Sequence, residues 1–350
     1  MKRILVIDTA ASSGGALTVL KDFYKCATRY CDIKWIFLIS GPYVKEKENI
    51  KVIVAPNLKS HINRLLFENI TGRFFIKKIN PNIVFSLQST AVRGLVIPQV
   101  LYVHQSVPFQ DIYKFSFFKR KEFYMAVIQY IIGSIIKSSI KFADIVIVQT
   151  IWMKQAILKQ CLIDEKKIMQ VYPSVVDVDR KCTYIQTSKF FYPTSDAFYK
   201  NIGLLLKACK ELDKENVSYS LRLTADGENT DRIHFMGRIS RKEVYDNYVN
   251  ACLVFPSYIE TFGYPLVEAK SLGLIILASD CAFSHELLDG YQNAYFFNPF
   301  DHHELFCLMK QVAIGEIKRQ ASTVENIDNN NVEDSWDEVV RILKNVNSNE

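Results

Sequence analysis

At 350 residues, 49% of them hydrophobic and 23% charged, the chain is long enough for two ordinary domains and too apolar to be disordered. Its net charge of +6 is unevenly spread: residues 1–175 hold 25 Lys+Arg against 11 Asp+Glu, a net +14, and residues 176–350 hold 18 against 26, a net −8. The eight cysteines include no CxxC pair and no metal-like clustering, which argues against a disulfide framework or a zinc module and suits a reducing compartment.

A basic half seeks anionic surfaces. Nucleic acid is not expected, because the chain has no zinc-finger spacing, no RNP-like segment and no dense basic arm. An anionic membrane surface fits as well, each basic residue near it being worth about 1 kcal/mol.

The opening MKRILVIDTA has a short apolar run, Ile4 to Ile7, leading straight into a Gly-rich loop, and is expected to be a first strand, not a signal peptide. ASSGGALTVLKDFY then reads as loop followed by helix. Gly14-Gly15 before that helix either cradles a phosphate or admits a substrate to the backbone, or is a turn made for packing. The runs WIFLIS, VIVAP, NIVFSL, QVLYVHQ and DIVIVQT follow in an α/β rhythm. Continuous Val/Ile/Leu/Phe, not alternation, marks strands covered on both faces, so a doubly wound parallel sheet is predicted. Ligands of such sheets sit beyond the carboxyl ends of the strands, which singles out Gln88, His104 and Thr150. His104 is either a satisfied core residue or a site residue.

Residues 114–142 join the basic Lys119-Arg120-Lys121 to a run of about fourteen mostly apolar residues from Phe123, too short to span a bilayer. It reads as a core helix or as a surface helix touching a membrane through aromatic and basic side chains. WMKQAILKQ is a helix, IMQVYPSVVDVD a strand and turn closing the first domain, and 176–188 a polar linker. KFFYPTSDAFYKNIGLLLKA opens the second domain as strand, loop and helix, with Lys200 placed to reach a phosphate at the helix start.

The stretch FPSYIETFGYPLVEAKSLGLIILASD, residues 255–280, has the densest chemistry. A strand ends at Pro256, Gly263 permits a tight turn, Pro265 suits a first helical turn, and Gly273 closes the helix. A helix entered this way directs free N–H groups and its positive dipole end at an anion. Glu260 and Glu268 bracket the turn; each interrupts an apolar run and is read as functional, not needed for folding, since burial without partners costs several kcal/mol. A sugar nucleotide offers hydroxyls for the carboxylates and a diphosphate for the helix end. Finally, ENIDNNNVED is a polar linker and SWDEVVRILKNV an amphipathic helix with Trp336, Val339, Val340 and Leu343 on one face.

PSYIETFGYPLVEA resembles the Glu-x7-Glu motif of family 4 retaining glycosyltransferases of the GT-B fold: Pro256, Ser257, Glu260, Phe262, Gly263, Pro265, Glu268, Ala269 and Gly273 are in register. Thr261 stands where that family usually has Gly, which asks more of the backbone. The resemblance implies two Rossmann-like doubly wound α/β domains facing across a cleft: 1–175 binding acceptor, 176–330 binding nucleotide-sugar, and 331–350 a C-terminal helix crossing back to the first, with Asp301 to Asn331 as return path. It implies Glu260 on donor-sugar hydroxyls, Glu268 on the ribose, Lys200 on the diphosphate, and His104 beside the anomeric carbon. Gly14 and Gly15 face the cleft; Gly237 and Arg238 in IHFMGRIS approach the base, and Thr261, Phe262, Gly263 and Tyr264 form the donor loop. The usual Arg five positions before Lys200 is replaced by Ser195. Transfer from a UDP- or GDP-sugar without metal or other cofactor is expected, to a glycan or lipid-linked glycan of a bacterial surface polysaccharide, at the cytoplasmic face of an anionic membrane. A GT-B-like sugar-nucleotide epimerase or a non-catalytic sugar-nucleotide-binding protein are the alternatives.

Overall fold

The computed structural model describes residues 1–174, 188–320 and 335–346. The linker expected over 176–188 and the polar stretch 325–334 therefore lie, but for Ser188, outside the described residues. The chain divides into two compact units, Met1–Ser174 with Asn331–Glu350, and Val175–Asn330.

The first unit is built on seven strands: β1 Lys2–Asp8, β2 Ile33–Ile39, β3 Ile50–Val54, β4 Ile83–Ser86, β5 Gln99–Val103, β6 Ile145–Val148 and β7 Ile168–Gln170. They pair in the order β3-β2-β1-β4-β5-β6-β7, every pair parallel. Parallel pairing requires crossovers, and helices on both faces explain the unbroken apolar runs. In β1, Ile4 and Val6 enter one buried cluster while Leu5 and Ile7 enter the opposite one. The helix Ser335–Asn345 completes this unit from the far end of the sequence. Its Val339, Val340 and Leu343 are buried against β1 and the helix Gly14–Ala27, and Trp336 meets the rings of Phe23 (5.3 Å) and Tyr102 (5.2 Å). Asp337 on the same helix accepts hydrogen bonds from Arg29 (2.6 Å) and the Tyr30 hydroxyl (2.9 Å).

Two expectations for this part of the chain change. The apolar run from Phe123 is one helix through Phe142, 20 residues, so length alone does not stop it from spanning a bilayer. It is instead partly buried in the unit: Ile136 and Ile140 join a core cluster, and Gln129 donates to the Tyr113 carbonyl and accepts from Phe115 N–H. Gly133 lies so close to Pro108 that a Cβ would meet it at 2.8 Å. Nor is Asp301 onward simply a return path, since His302–Ala313 is a helix packed on Ile202–Lys214 within the second unit.

The second unit has six parallel strands: β8 Lys189–Tyr192, β9 Ser220–Leu223, β10 Ile233–Phe235, β11 Cys252–Phe255, β12 Ile276–Ser279 and β13 Ala294–Phe297. Their order, β10-β9-β8-β11-β12-β13, repeats the logic of the first sheet. In each unit the order reverses direction beside the first strand, between β1 and β4 and between β8 and β11. Such a switch point leaves a crevice where the loops leaving two neighbouring strands part.

Candidate active site

In the second unit both loops at the switch point carry charge. Tyr192 ends β8 and Phe255 ends β11, adjacent strands whose following loops hold Lys200 and Glu260. Sixty residues apart in sequence, Lys200 Nζ and Glu260 Oε1 lie 2.5 Å apart, their side chains 17% and 14% exposed. The loops are stitched together below them. Tyr258 N–H and the Ser257 hydroxyl both donate to the Tyr199 carbonyl, at 3.2 and 3.3 Å. Asn201, in the left-handed conformation at φ 58°, donates from Nδ2 to the carbonyls of Pro299 (2.7 Å) and Pro256 (3.3 Å). The Tyr192 hydroxyl donates to the Lys200 carbonyl at 2.8 Å. Lys200 is therefore fixed by backbone on both sides, and its ammonium is held beside a carboxylate.

Past Glu260 the loop turns into the helix Tyr264–Ser271. Gly263 has φ 94°, a region that favours glycine, and no side chain caps the helix start; Pro265 carries no N–H and Leu266 N–H donates to the Gly263 carbonyl at 3.0 Å, so what this end offers an anion is chiefly its positive dipole end. Thr261 is not among the residues of positive φ, so the position needs no glycine and threonine costs nothing there. The Phe262 ring is buried and packs edge-on to Tyr264 at 5.1 Å, while Tyr264 is exposed.

Glu268 overturns its assignment as unneeded for folding. It is 7% exposed and hydrogen-bonded by protein alone: Oε2 accepts from Tyr248 (3.0 Å), Oε1 from Tyr245 (3.2 Å) and Arg241 (3.4 Å). All three donors sit on the helix Arg241–Tyr248 at positions i, i+4 and i+7, one face of that helix. The spacing R-x3-Y-x2-Y was visible in the sequence, and its target was not, because only the β11 crossover brings the two helices together. Burial raises the pKa of both tyrosines, and the neighbouring Glu268 raises them further. Gly237, at φ 60°, follows β10, its N–H donating to Ala225 and an added Cβ meeting Asp226 Oδ1 at 3.3 Å; Arg238 beside it is exposed. Ser195 is exposed in the loop of Lys200.

The switch point of the first unit is uncharged in character. Gly14 and Gly15 are the first two residues of the helix Gly14–Ala27, not a loop before it; both are exposed, and an added Cβ would meet nothing within 4 Å. Only Gly14, at φ 60°, favours glycine by conformation. His104 follows β5, its N–H donating to Ser89 Oγ at 3.2 Å and its ring edge-on to Tyr102; desolvation pushes its pKa down to about 4, so the imidazole is neutral at ordinary pH. Gln88 bridges the ends of β1 and β4, accepting from Thr9 N–H and hydroxyl at 2.9 Å each. Thr150 is buried ahead of the helix Ile151–Cys161. One residue escaped sequence reasoning: Asp8, at the end of β1, is 1% exposed with Oδ2 unpartnered, and burial pushes its pKa up to about 7. Among the described residues no three His, Cys, Asp or Glu side chains converge as a metal-ligating group.

The structure thus joins Lys200, Glu260 and the start of the Tyr264–Ser271 helix in one place, sets Glu268 on that helix in its own hydrogen-bonded nest, and carries Gly14, Gly15 and His104 on the other unit. Residues 186–330, which span this site, match the family described as Glycosyl transferases group 1. The O-antigen chain mannosyltransferase RfbU of Salmonella typhimurium is 27% identical over 282 residues, 73% of this chain and 74% of that protein. The family match and this relative together support a group 1 glycosyltransferase. As such the chain is an enzyme that depends on a nucleotide-sugar donor, and its two parallel sheets place it in the GT-B fold. Solved structures agree on the fold of this glycosyltransferase. A Rickettsia africae glycosyltransferase superposes with a TM-score of 0.67 at 17% identity, covering 99% of each chain. Anabaena HepE in complex with UDP and glucose superposes with a TM-score of 0.64 at 15% identity, covering 99% of this chain and 100% of that one.

Proposed function

We propose that this glycosyltransferase moves a sugar from a UDP- or GDP-sugar, with retention at the anomeric carbon and without a metal, to a lipid-linked glycan of a bacterial surface polysaccharide such as O-antigen or capsule. The observation that carries the reading is the Lys200–Glu260 pair beside an uncapped helix start at the switch point of the second sheet. Departure of the nucleotide leaves charge on the diphosphate. Lys200 and the positive end of the helix entered at Gly263 stabilise it, in surroundings where a fixed cation acts more strongly than in water. Glu260 accepts hydrogen bonds from donor-sugar hydroxyls while holding the Lys200 ammonium in place. A carboxylate has about four acceptor sites, so Glu268 keeps capacity for a ribose hydroxyl beside its three protein donors. Ser195 leaves Lys200 without the second cation usual in the resemblance. His104, neutral, supplies hydrogen bonding and no charge.

RfbU is an O-antigen chain mannosyltransferase by description, which supports the polysaccharide reading. Its acceptor is read as membrane-borne because the basic first unit exposes large apolar side chains. Phe117, Phe118, Phe123 and Tyr124 surround the exposed Arg120 and Lys121. A second group, missed in the sequence, stands on the helical stretch 61–79: Ile62, Leu66, Ile70 and Phe74, with Arg73, Lys77 and Lys78 exposed nearby. Two residues leave the proposed membrane contact, since Phe115 is buried and Lys119 is paired with Glu122 at 3.0 Å. Aromatic side chains enter the headgroup region while basic ones meet anionic lipid, at the cytoplasmic face.

Acceptor-dependent release of nucleoside diphosphate tests the reaction. Release that needs no acceptor points to an epimerase-like activity, and binding of nucleotide sugar without turnover to a non-catalytic protein; either overturns the reading. For the membrane, sedimentation with vesicles should rise with anionic lipid, fall with salt, and drop in Arg120→Glu/Lys121→Glu. Protein left in the supernatant with strongly anionic vesicles at low salt refutes it.

A further inference from the structure

We propose that the first unit has a carbohydrate-binding cavity of its own, lying between the helical stretch 61–79 and the helix Phe123–Phe142, that takes one neutral hexopyranose ring. The cavity has a volume of about 190 Å3. That is about six waters' worth of liquid volume and below the roughly 300 Å3 at which pockets for drug-sized ligands begin, so it admits a single sugar ring and no nucleotide.

Its lining decides the chemistry. Glu68, 3% exposed, presents a carboxyl from one wall, and Arg93 presents a guanidinium from another. An anion would be repelled by the first and a cation by the second. A polyhydroxylated neutral ring suits both, because each hydroxyl can donate to the carboxyl and accept from the guanidinium. Ser138 and Ser139 supply hydroxyls, and Ile135 an apolar patch for the C–H face of a ring. The Ser139 hydroxyl, on a residue 6% exposed, has no hydrogen-bond partner among the described residues. Ser139 lines the cavity, so its hydroxyl can bond to what the cavity holds.

The polar walls are rigid before any ligand arrives. Glu68 Oε1 accepts from Gln88 Nε2 (2.7 Å) and from the Thr90 hydroxyl, which leaves Oε2 without a protein donor among the described residues. Gln88 is itself held by Thr9 at the end of β1. Arg93 lies over the Phe142 ring at 4.9 Å, donates to Ser138 Oγ at 2.8 Å, and its backbone N–H donates to the Glu68 carbonyl at 2.8 Å. Glu68 also sits in a π-helical turn, Phe67–Thr71, a distortion that recurs at functional sites. The source of the ring rests on the glycosyltransferase reading above: a sugar unit of the acceptor glycan.

Saturation-transfer NMR on the full chain, with methyl glycosides of glucose, galactose, mannose and rhamnose, tests the cavity. At least one glycoside should give transfer that saturating UDP and GDP do not displace. Ser139→Leu, which fills the cavity, and Arg93→Met, at an exposed position that leaves the fold alone, should each weaken it at least tenfold. UDP and GDP binding, read in the same samples, should stay within twofold. The proposal is overturned when no glycoside binds, when the signal survives both substitutions, or when nucleotide displaces it. Absence of any glycoside signal from the wild type, with its nucleotide binding intact, condemns the cavity alone, whereas failure of nucleotide to bind the wild type condemns the donor site.

Discussion

The two sheets share one strand order and treat charge at their switch points in opposite ways. In the second unit an ammonium and a carboxylate, both mostly out of water, stay beside each other, and Glu268 is enclosed by three donors. In the first unit desolvation dominates: the Asp8 carboxyl is pushed up to about 7 and the His104 imidazole down to about 4, so each moves toward its neutral form. Topology sets where a ligand lies. The local supply of partners sets which ligand it is: a diphosphate suits an edge with a fixed cation, and hydroxyl groups suit an edge of neutral donors and acceptors.

The charged edge is the easier of the two to break. Lys200→Met and Glu260→Gln should each lower the turnover number by about 100- to 1000-fold, the usual effect of removing one preorganised electrostatic contact, with near-native melting for Glu260→Gln. Wild-type turnover by either folded variant, read as nucleoside diphosphate release, refutes the assignment.

Glu268 separates a structural carboxylate from one that serves only the substrate. Glu268→Ala strands the buried Tyr248 hydroxyl and the Tyr245 hydroxyl, each costing about 1–3 kcal/mol. Its urea midpoint should fall clearly while that of Glu260→Ala falls much less. Equal midpoints would contradict the nest.

The neutral edge is probed by pH. Asp8 in the unfolded chain titrates near its ordinary 3.8, so between about pH 4 and 7 the folded state holds a proton that the unfolded state has lost. Its contribution to stability therefore declines as pH rises through that window and is level above it. His104 runs the other way: the unfolded chain takes up a proton near 6.5 and the folded one near 4, so its contribution declines as pH falls between them. Each effect is on the order of a few kcal/mol at most, and in the wild type they oppose each other. Asp8→Asn should raise stability more at pH 8 than at pH 5, and His104→Gln should raise it more at pH 4.5 than at pH 8, both by urea unfolding. The smallest expected change is with EDTA, which should leave transfer within about twofold; rescue of a chelated, inactive enzyme by Mg²⁺ or Mn²⁺ would disprove metal independence.

Much of this was legible in the sequence where one physical requirement dominated locally. Runs such as ILVI and IVIV had to be strands buried on both faces, and FGYP had to be a turn entering a helix. What escaped reading depends on crossovers that bring distant segments together. The partners of Glu268 lie 20 to 27 residues upstream, and Gln88 meets Thr9 only because β4 runs beside β1. The apolar run from Phe123 misled by length, since Gln129 and Ser134 look like interruptions in sequence and are simply interior and exposed positions of one helix. Asp8 resembled any strand-terminal Asp, and its protonation follows from burial, which no local pattern encodes.

The helix Ser335–Asn345 has a consequence for how the protein is made. Trp336 covers Phe23 and Tyr102, so the first unit lacks one wall of its core until the ribosome has passed residue 335. At about 5–20 residues per second, the 160 residues between 175 and 334 take on the order of ten seconds or more to synthesise. During that interval the nascent amino-terminal half exposes aromatic surface that only the finished chain can cover. The second unit, contiguous in sequence, can close first. Termination between residues 330 and 335 would thus yield a chain whose donor half is whole and whose basic half is left open to chaperones and proteases, a built-in means of distinguishing molecules that carry the closing helix from those that lack it.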